Sequence, residues 1–130
     1  MLRPINPAAI RPPFARYSHA VAVAAGGRLL FCSGQLGIGP DEAVPPSVEE
    51  QAERCFANIG AILAEAGMSF ANVVRLNAFV TAREHMQGYM KVRDRLVGPV
   101  PPASTLIIVA GFSRPEFLLE VEATAAGPVA

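Results

Sequence analysis

Apolar residues recur along the chain at two different spacings, which separate strands from helices. Alternation of apolar and polar positions predicts a β-hairpin from residues 17–24 and 28–33, with two glycines at its turn. The same alternation predicts a strand at residues 73–81. Two further extended segments, residues 106–109 and 117–123, follow near the end of the chain. We interpret them as adjacent strands joined by a turn-rich loop.

Apolar positions three and four residues apart predict two helices. The first begins at a capping box, in which Glu50 follows Ser47 by three residues, and it stops at Gly67. The second begins at a similar pattern in residues 81–84 and ends at residues 98–99. The predicted order is therefore β-β-α-β-α-β-β. Right-handed crossovers would pair strands in parallel and place both helices on one face of a mixed sheet.

The last two predicted strands differ in their patterns. Residues 106–109 are apolar on both alternating faces, whereas Glu120 and Glu122 share one face of the final strand. A strand with one face in water would not be apolar on both faces, so we expect the first of the two to lie at the centre of the sheet, beside a polar cleft. Two helices cover only one face, and self-association is the economical way to cover the other.

The length of 130 residues indicates one domain, residues 1–130, in which the proline-rich residues 1–16 form an irregular arm. The chain is 52% hydrophobic with a mean hydropathy of +0.34. Its longest uncharged run, residues 96–113, is interrupted by prolines, so no membrane span is expected. The start of the chain lacks the apolar region of a secretory signal, and we expect a cytoplasmic protein.

Charge and ligand chemistry narrow the function classes further. The net charge is zero and the arginines are scattered, which argues against a nucleic-acid partner. His19 and His85 are the only histidines and lie far apart, so no metal site is expected. Cys32 and Cys55 lie in apolar patterns, and we interpret them as packed, reduced thiols and not as nucleophiles.

The chain carries five short motifs, at residues 16–21, 32–35, 72–75, 102–105 and 119–123. In this order and spacing they resemble the RidA/YjgF family. These are the reactive-intermediate deaminases, long labelled L-PSP endoribonucleases or translation initiation inhibitors. The resemblance extends from about residue 17 to about residue 125 and implies a chorismate-mutase-like α+β fold. It also implies a homotrimer in which three sheets surround a central barrel, with a small cleft at each subunit boundary.

The resemblance also implies an activity and the residues that perform it. Family members hydrolyse imines and enamines, such as 2-aminoacrylate, to a keto acid and ammonia without a metal or an organic cofactor. By this resemblance Glu120 is the catalytic residue that holds or activates water, and Tyr17, Ser33 and Gly34 line the pocket for a small-molecule metabolite. An arginine of the family, which would clamp the substrate carboxylate, is replaced here by Ser104.

Three departures from the family's pattern bear on the substrate. Ser104 lacks the cation, Met90 stands where an asparagine is usual, and His19 replaces a common glutamine. The hydroxyl and backbone N–H groups of Ser104 and Thr105 could bind a neutral or hydroxylated ligand, or a carboxylate more weakly than a guanidinium would. Arg16 or His19 could also reach the same cleft. We therefore expect little hydrolysis of 2-aminoacrylate.

Three functions follow as alternatives. The first is a Rid-type enzyme that acts on another imine, enamine or labile C–N metabolite. The second is a trimeric module that binds a metabolite without chemistry. The third is a ribonuclease or translation inhibitor, against which the zero net charge and the lack of a base-stacking aromatic cluster both argue. The plainer interpretation of Glu120, a solvated carboxylate on a strand face, remains open at this point.

Overall fold

The computed structural model describes residues 2–128, which form a mixed α+β fold as predicted. The main sheet has the strand order β3-β6-β4-β5, in which only β4 and β5 are parallel. Short 3₁₀ turns precede β4 and α2. The elements are β1 Leu2–Ile5, β2 Ala20–Val23, β3 Arg28–Leu36, α1 Val48–Glu65, β4 Val73–Val80, α2 Met86–Leu96, β5 Ala103–Ile108 and β6 Leu119–Gly127.

The first helix begins where the capping box predicts. The backbone N–H of Glu50 donates to Ser47 Oγ at 3.2 Å, and Ser47 Oγ donates in turn to Glu50 Oε1 at 3.0 Å. These bonds satisfy a helix N–H that has no partner within the helix. Gly67 has a φ of +71°, a left-handed conformation that ends the helix at little cost only for glycine. The predicted boundaries of α1 are confirmed.

One core lies between the two helices and one face of the main sheet. Helix α1 places Cys55, Phe56 and Ile59 in it, each at most 1% exposed, so the prediction that Cys55 packs in the core is confirmed. Burial of apolar side chains on this scale is the main stabilising contribution to the fold. None of the helices in the described part of the chain is long and apolar enough to cross a membrane. The sheet contributes Leu76, Ala78, Val80, Leu119, Val121, Ala123 and Ala125.

The start of the second helix differs from the prediction. Thr81 lies too far before the helix to cap it, and its backbone N–H donates to Leu118 O at 3.1 Å, which ties this residue to the sheet. A 3₁₀ turn at Arg83–His85 follows, and α2 begins at Met86 with no side-chain hydrogen bond at its N-terminus. The prediction that a capping box in residues 81–84 opens the second helix is therefore wrong.

The predicted hairpin is also wrong, although Gly26 turns the chain at a φ of +93°. Strand β2 pairs with β1, with Leu2 opposite Val23, and β3 pairs with β6 instead. The proline-rich arm therefore contains a strand and is not wholly irregular. Strand β3 also continues past Ser33 to Leu36 through a bulge. Alternation shows that a segment is a strand but does not show which strand it pairs with.

The last two strands are not adjacent, contrary to the prediction. Strand β6 lies between β3 and β4 and is antiparallel to both, while β5 forms an edge of the sheet and pairs in parallel with β4. The predicted parallel pairing is therefore correct for β4 and β5 but not for β3 and β4. In one chain Ile107 and Ile108 are 46% and 45% exposed, so β5 is neither central nor buried on both faces.

Gln51 provides a test of how the loops are held to the core. This fully buried side chain donates to Pro45 O at 2.9 Å and to Glu116 O at 2.8 Å, and accepts from the N–H of Leu118 at 2.9 Å. Gln51→Leu leaves three backbone groups without partners, so we expect the free energy of unfolding to fall by about 3 kcal/mol. Chemical denaturation at one fixed protein concentration measures it.

Gln87 is a matched control because it is an exposed glutamine on α2. Gln87→Leu should change the free energy of unfolding by less than about 0.5 kcal/mol. Equal stabilities of the two variants would contradict the role given to Gln51.

Candidate functional site

The candidate residues fall into two groups on opposite faces of the main sheet. Residues of β6 that alternate with the core residues point to the face without helices, which we call the open face. Glu120 lies on this face and pairs with Leu36 across the strands. A Cβ atom at Gly34 would lie only 2.5 Å from Glu120 Oε1, so the carboxylate occupies the space that any other side chain would need. The structure thus brings Gly34 and Glu120 together.

The two glutamates of β6 differ in their partners. Asn77 Nδ2 donates to Glu122 Oε1 at 2.9 Å, and Arg75 Nε donates to Asn77 Oδ1 at 3.0 Å. Arg75 Nη2 donates to Thr105 Oγ1 at 2.9 Å, which adds Thr105 to the same network. Glu120 belongs to no such network, and within residues 2–128 no side chain or backbone group hydrogen-bonds its carboxylate. The half-buried carboxylate of Glu120 is therefore available to accept a proton, whereas that of Glu122 is held in place by its hydrogen bond from Asn77.

The second group surrounds a cavity of about 290 Å³ between the N-terminal arm, α2 and β5. Ser104 pairs with Leu76, a core residue, so its side chain faces the helices, whereas Thr105 faces the open side. These consecutive candidates therefore lie on opposite faces. Tyr17 and Ser104 share the cavity. Its wall consists of Phe14, Ala15, Tyr17, Met86, Met90, Arg93, Ser104 and Leu106.

Arg93 is the residue in this cavity wall that the sequence analysis missed. It is only 2% exposed although it carries a charge. Its Nη2 atom, the hydroxyl of Tyr89 and Ser104 Oγ are buried without hydrogen-bond partners in the described part of the chain. Burial raises the pKa of the Tyr89 phenol to about 12, so it stays protonated and able to donate. The signal in the sequence was a charged residue four positions after Tyr89, within the apolar stripe of the second helix.

Arg16 and His19 do not reach the cavity. Arg16 Nη2 donates to Gly98 O at 3.2 Å, and His19 Nε2 lies 2.6 Å from Arg11 O. The ring of His19 packs edge-on against that of Tyr17, with centroids 5.8 Å apart. These contacts give both residues structural partners outside the cavity wall. Ser33 is exposed at the bulge of β3, next to Gly34, and so belongs to the group on the open face.

The two thiols are unsuited to nucleophilic chemistry. Burial, together with the negative charge of Glu120, raises the pKa of the Cys55 thiol to about 12, and burial also raises the pKa of Cys32. A thiol with a raised pKa is protonated near neutral pH, and the reactive thiolate is scarce. Within residues 2–128, no three histidine, cysteine or acidic side chains are grouped as a metal ion would require.

A second cavity, of about 390 Å³, lies between the helices on the outer surface. Phe56, Phe70 and Val92 make its wall largely apolar. Arg95 and Glu53 line it too and bond to each other at 3.2 Å. None of the three unpartnered buried polar atoms of the described chain belongs to a residue of this wall, which therefore offers less specific binding chemistry than the cavity beside Ser104.

Residues 8–127 match the protein family described as Endoribonuclease L-PSP. Protein DfrA of Myxococcus xanthus is 37% identical over 110 residues, which cover 83% of this chain and 80% of that protein. A 2-iminobutanoate/2-iminopropanoate deaminase of Bos taurus is 39% identical over 94 residues, 65% of this chain and 64% of that one. The crystal structure of YyfB, a conserved Rid-family protein of Yersinia pestis, has a TM-score of 0.84 and 31% identity. The matched region covers 95% of this chain and 97% of the YyfB chain.

The contact between Gly34 and Glu120 can be tested directly. Gly34→Ala should displace the Glu120 side chain, since the new Cβ atom would also lie within 3 Å of its Cγ and Cδ atoms. We expect a crystal structure of the variant to show the displaced carboxylate, and the free energy of unfolding to fall by about 1–3 kcal/mol. Gly111→Ala is the control, because a Cβ at that position meets nothing within 4 Å. An unmoved Glu120 in Gly34→Ala would refute this contact.

Proposed function

Since this chain belongs to the RidA/YjgF family, whose family model bears the description Endoribonuclease L-PSP, we propose that it hydrolyses an imine, an enamine or a related labile C–N bond of a small metabolite. The relative from Bos taurus is named as a deaminase of two imino acids, which supports this reaction class. The zero net charge speaks against the ribonuclease suggested by the description of the family.

The observation that carries this proposal is the free carboxylate of Glu120 beside Gly34. In imine hydrolysis the carboxylate accepts a proton from water as the water oxygen bonds to the imine carbon. Transfer of that proton to nitrogen gives a carbinolamine. Movement of the hydroxyl proton to nitrogen then forms the C=O bond as the C–N bond breaks, which releases ammonia and a carbonyl compound. A carboxylate that is paired with a cation or accepts a hydrogen bond is a weaker base, and Glu122 shows the second case, because it accepts a bond from the amide of Asn77.

We place the reaction in a cleft between subunits of a homotrimer. Within one chain the sheet separates Glu120 on the open face from Tyr17 and Ser104 on the helix face. A neighbouring subunit is then needed to bring the two groups into one cleft. The open face also carries large apolar side chains that a monomer would leave in water, namely Leu29, Phe31 and Ile107, exposed by 59%, 73% and 46%.

We propose that the substrate differs from 2-aminoacrylate, because Ser104 cannot make the paired charge-assisted bonds of an arginine. The loss of such a clamp from a partly desolvated site costs about 2–4 kcal/mol, on the order of a hundredfold in rate. The loss of the arginine at Ser104 also favours the second candidate function, a module that binds a metabolite without reacting with it. The free Glu120 favours chemistry over binding alone.

The trimer is tested by Ile107→Asp. Ile107 pairs with Phe79 and so lies on the open face. A charge buried there without a partner costs several kcal/mol, so we expect the variant to dissociate or unfold. Sedimentation at micromolar concentration measures the assembly.

Ile108 is the matched control, because it is equally exposed but lies on the other face, where it pairs with Val80. Ile108→Asp should remain trimeric. A monomeric parent protein, or the same behaviour in both variants, would overturn the proposed assembly.

The chemistry is tested by Glu120→Gln. We expect kcat to fall by a factor of about 10² or more with little change in KM, because the amide cannot accept the proton. Imines generated in solution from a panel of amino acids by an amino-acid oxidase serve as substrates, with semicarbazide as the competing trap.

Hydrolysis of 2-aminoacrylate by the parent protein should be about a hundredfold slower than by a relative that carries the arginine.

Glu122→Gln is the control, because its amide oxygen can still accept the bond from Asn77. It should leave kcat nearly unchanged. If the parent hydrolyses no imine of the panel and Glu120→Gln alters only the affinity for a bound metabolite, the protein is a binding module.

A further inference from the structure

We propose that Arg93 supplies the cation of this protein's ligand site, binding the carboxylate of a small organic acid in the cavity that it shares with Ser104 and Tyr17. This inference rests on the proposed function only in taking that acid to be the substrate. The binding site itself stands on the contacts of Arg93. The cation thus comes from helix α2 and not from strand β5.

A buried arginine needs compensation, because an isolated charge away from water costs several kcal/mol. Arg93 receives it only in part. Its Nε donates to Asp94 Oδ1 at 3.0 Å. Its Nη2 lies 3.0 Å from the same oxygen but lacks the geometry of a hydrogen bond, so this contact is one of charge alone. One N–H-bearing nitrogen of the fork therefore remains without a hydrogen-bond acceptor in a residue that is 2% exposed.

The other unpartnered groups identify the ligand's chemistry. Two of them belong to residues of the cavity wall: Arg93 Nη2 can only donate, and the hydroxyl of Ser104 can donate as well. Two donors in the wall match a ligand with acceptor atoms, and beside a guanidinium the best match is a carboxylate. The cavity of about 290 Å³ is at the lower end of the roughly 300–1,000 Å³ usual for ligand sites, which suits a small acid.

The wall of the cavity includes parts that can move to admit such a ligand. Arg93 Nη2 and Ser104 Oγ are covered in this structure, so a ligand reaches them only when neighbouring side chains shift. Met86 and Met90 line the cavity and are the unbranched, flexible residues of its wall. Their movement requires no change in the backbone of α2.

Asp94 tunes the strength of this site. Its side chain is 40% exposed, and its oxygen neutralises part of the charge of Arg93. A carboxylate ligand competes with that oxygen and binds less tightly than it would to a free guanidinium. This competition agrees with slow hydrolysis of 2-aminoacrylate even though a cation is present.

Arg93→Met tests the site with 2-oxobutanoate as the probe and NMR titration as the measurement. Loss of the guanidinium should weaken binding by at least tenfold. Arg95→Met is the matched control, since Arg95 lies on the same helix but bonds Glu53 on the outer surface, and it should bind as the parent does. The uncharged amide of the same acid should bind the parent at least tenfold more weakly than the acid and should be insensitive to both substitutions.

A swap of the cation separates ligand binding from a merely structural role. Ser104→Arg in the Arg93→Met background moves the guanidinium from the helix to the strand across the same cavity, and should restore at least half of the lost affinity on a logarithmic scale. Asp94→Asn keeps an acceptor for Nε but removes the competing charge, so 2-oxobutanoate should bind at least threefold more tightly. This variant keeps the proposal testable if Arg93→Met does not fold.

Two results would overturn the site. One is unchanged binding of 2-oxobutanoate in folded Arg93→Met, and the other is unchanged or weaker binding in Asp94→Asn. Different results would overturn the proposed enzyme activity and not the binding site, or the reverse. Binding that depends on Arg93 without turnover of any imine would retain the site and exclude the activity. Turnover with an unaltered KM in Arg93→Met would retain the activity and exclude the site.

Discussion

The structure depends on the two-sidedness of its central strand, β6. Leu119 and Val121 face the helices and are fully buried, whereas Glu120 and Glu122 face away from them. Because β6 is hydrogen-bonded to strands on both sides, its backbone cannot shift by one residue without exposing the whole apolar set. The positions of the two carboxylates on the open face are therefore set by the packing of the core on the other face.

The same alternation divides the candidate site. Ser104 and Thr105 are neighbours in sequence, yet one faces the cavity beside α2 and the other joins the Arg75 network on the open face. A short motif from a strand can look like one site when it serves two. Of the two carboxylates on β6, the network engages Glu122 and leaves Glu120 free. Identical residue types two positions apart thus have different chemistry, because among residues 2–128 a hydrogen-bond donor reaches Glu122 and none reaches Glu120.

Local signals predicted much of the fold, and pairing of strands was the part they did not predict. The capping box, the apolar stripe and Gly67 act within a few residues, so α1 could be placed from the sequence. The position of β6 between β3 and β4 depends on contacts between segments far apart in the chain, which periodicity does not encode. Arg93 was missed for a related reason. A charged residue in an apolar stripe is assumed to reach water, and only the packed structure shows that it does not.

The separation of charges across the sheet has a chemical consequence. A cation and a carboxylate in direct contact form an ion pair, and the carboxylate is then a poorer base. Here the sheet keeps Glu120 apart from Arg93, and Asp94 occupies the arginine instead. If neighbouring subunits bring the two faces into one cleft, a substrate carboxylate can replace the contact with Asp94 at one end while Glu120 stays free at the other. The fold would thus preserve both an anion-binding group and a base because neither group can neutralise the other within the chain that carries them.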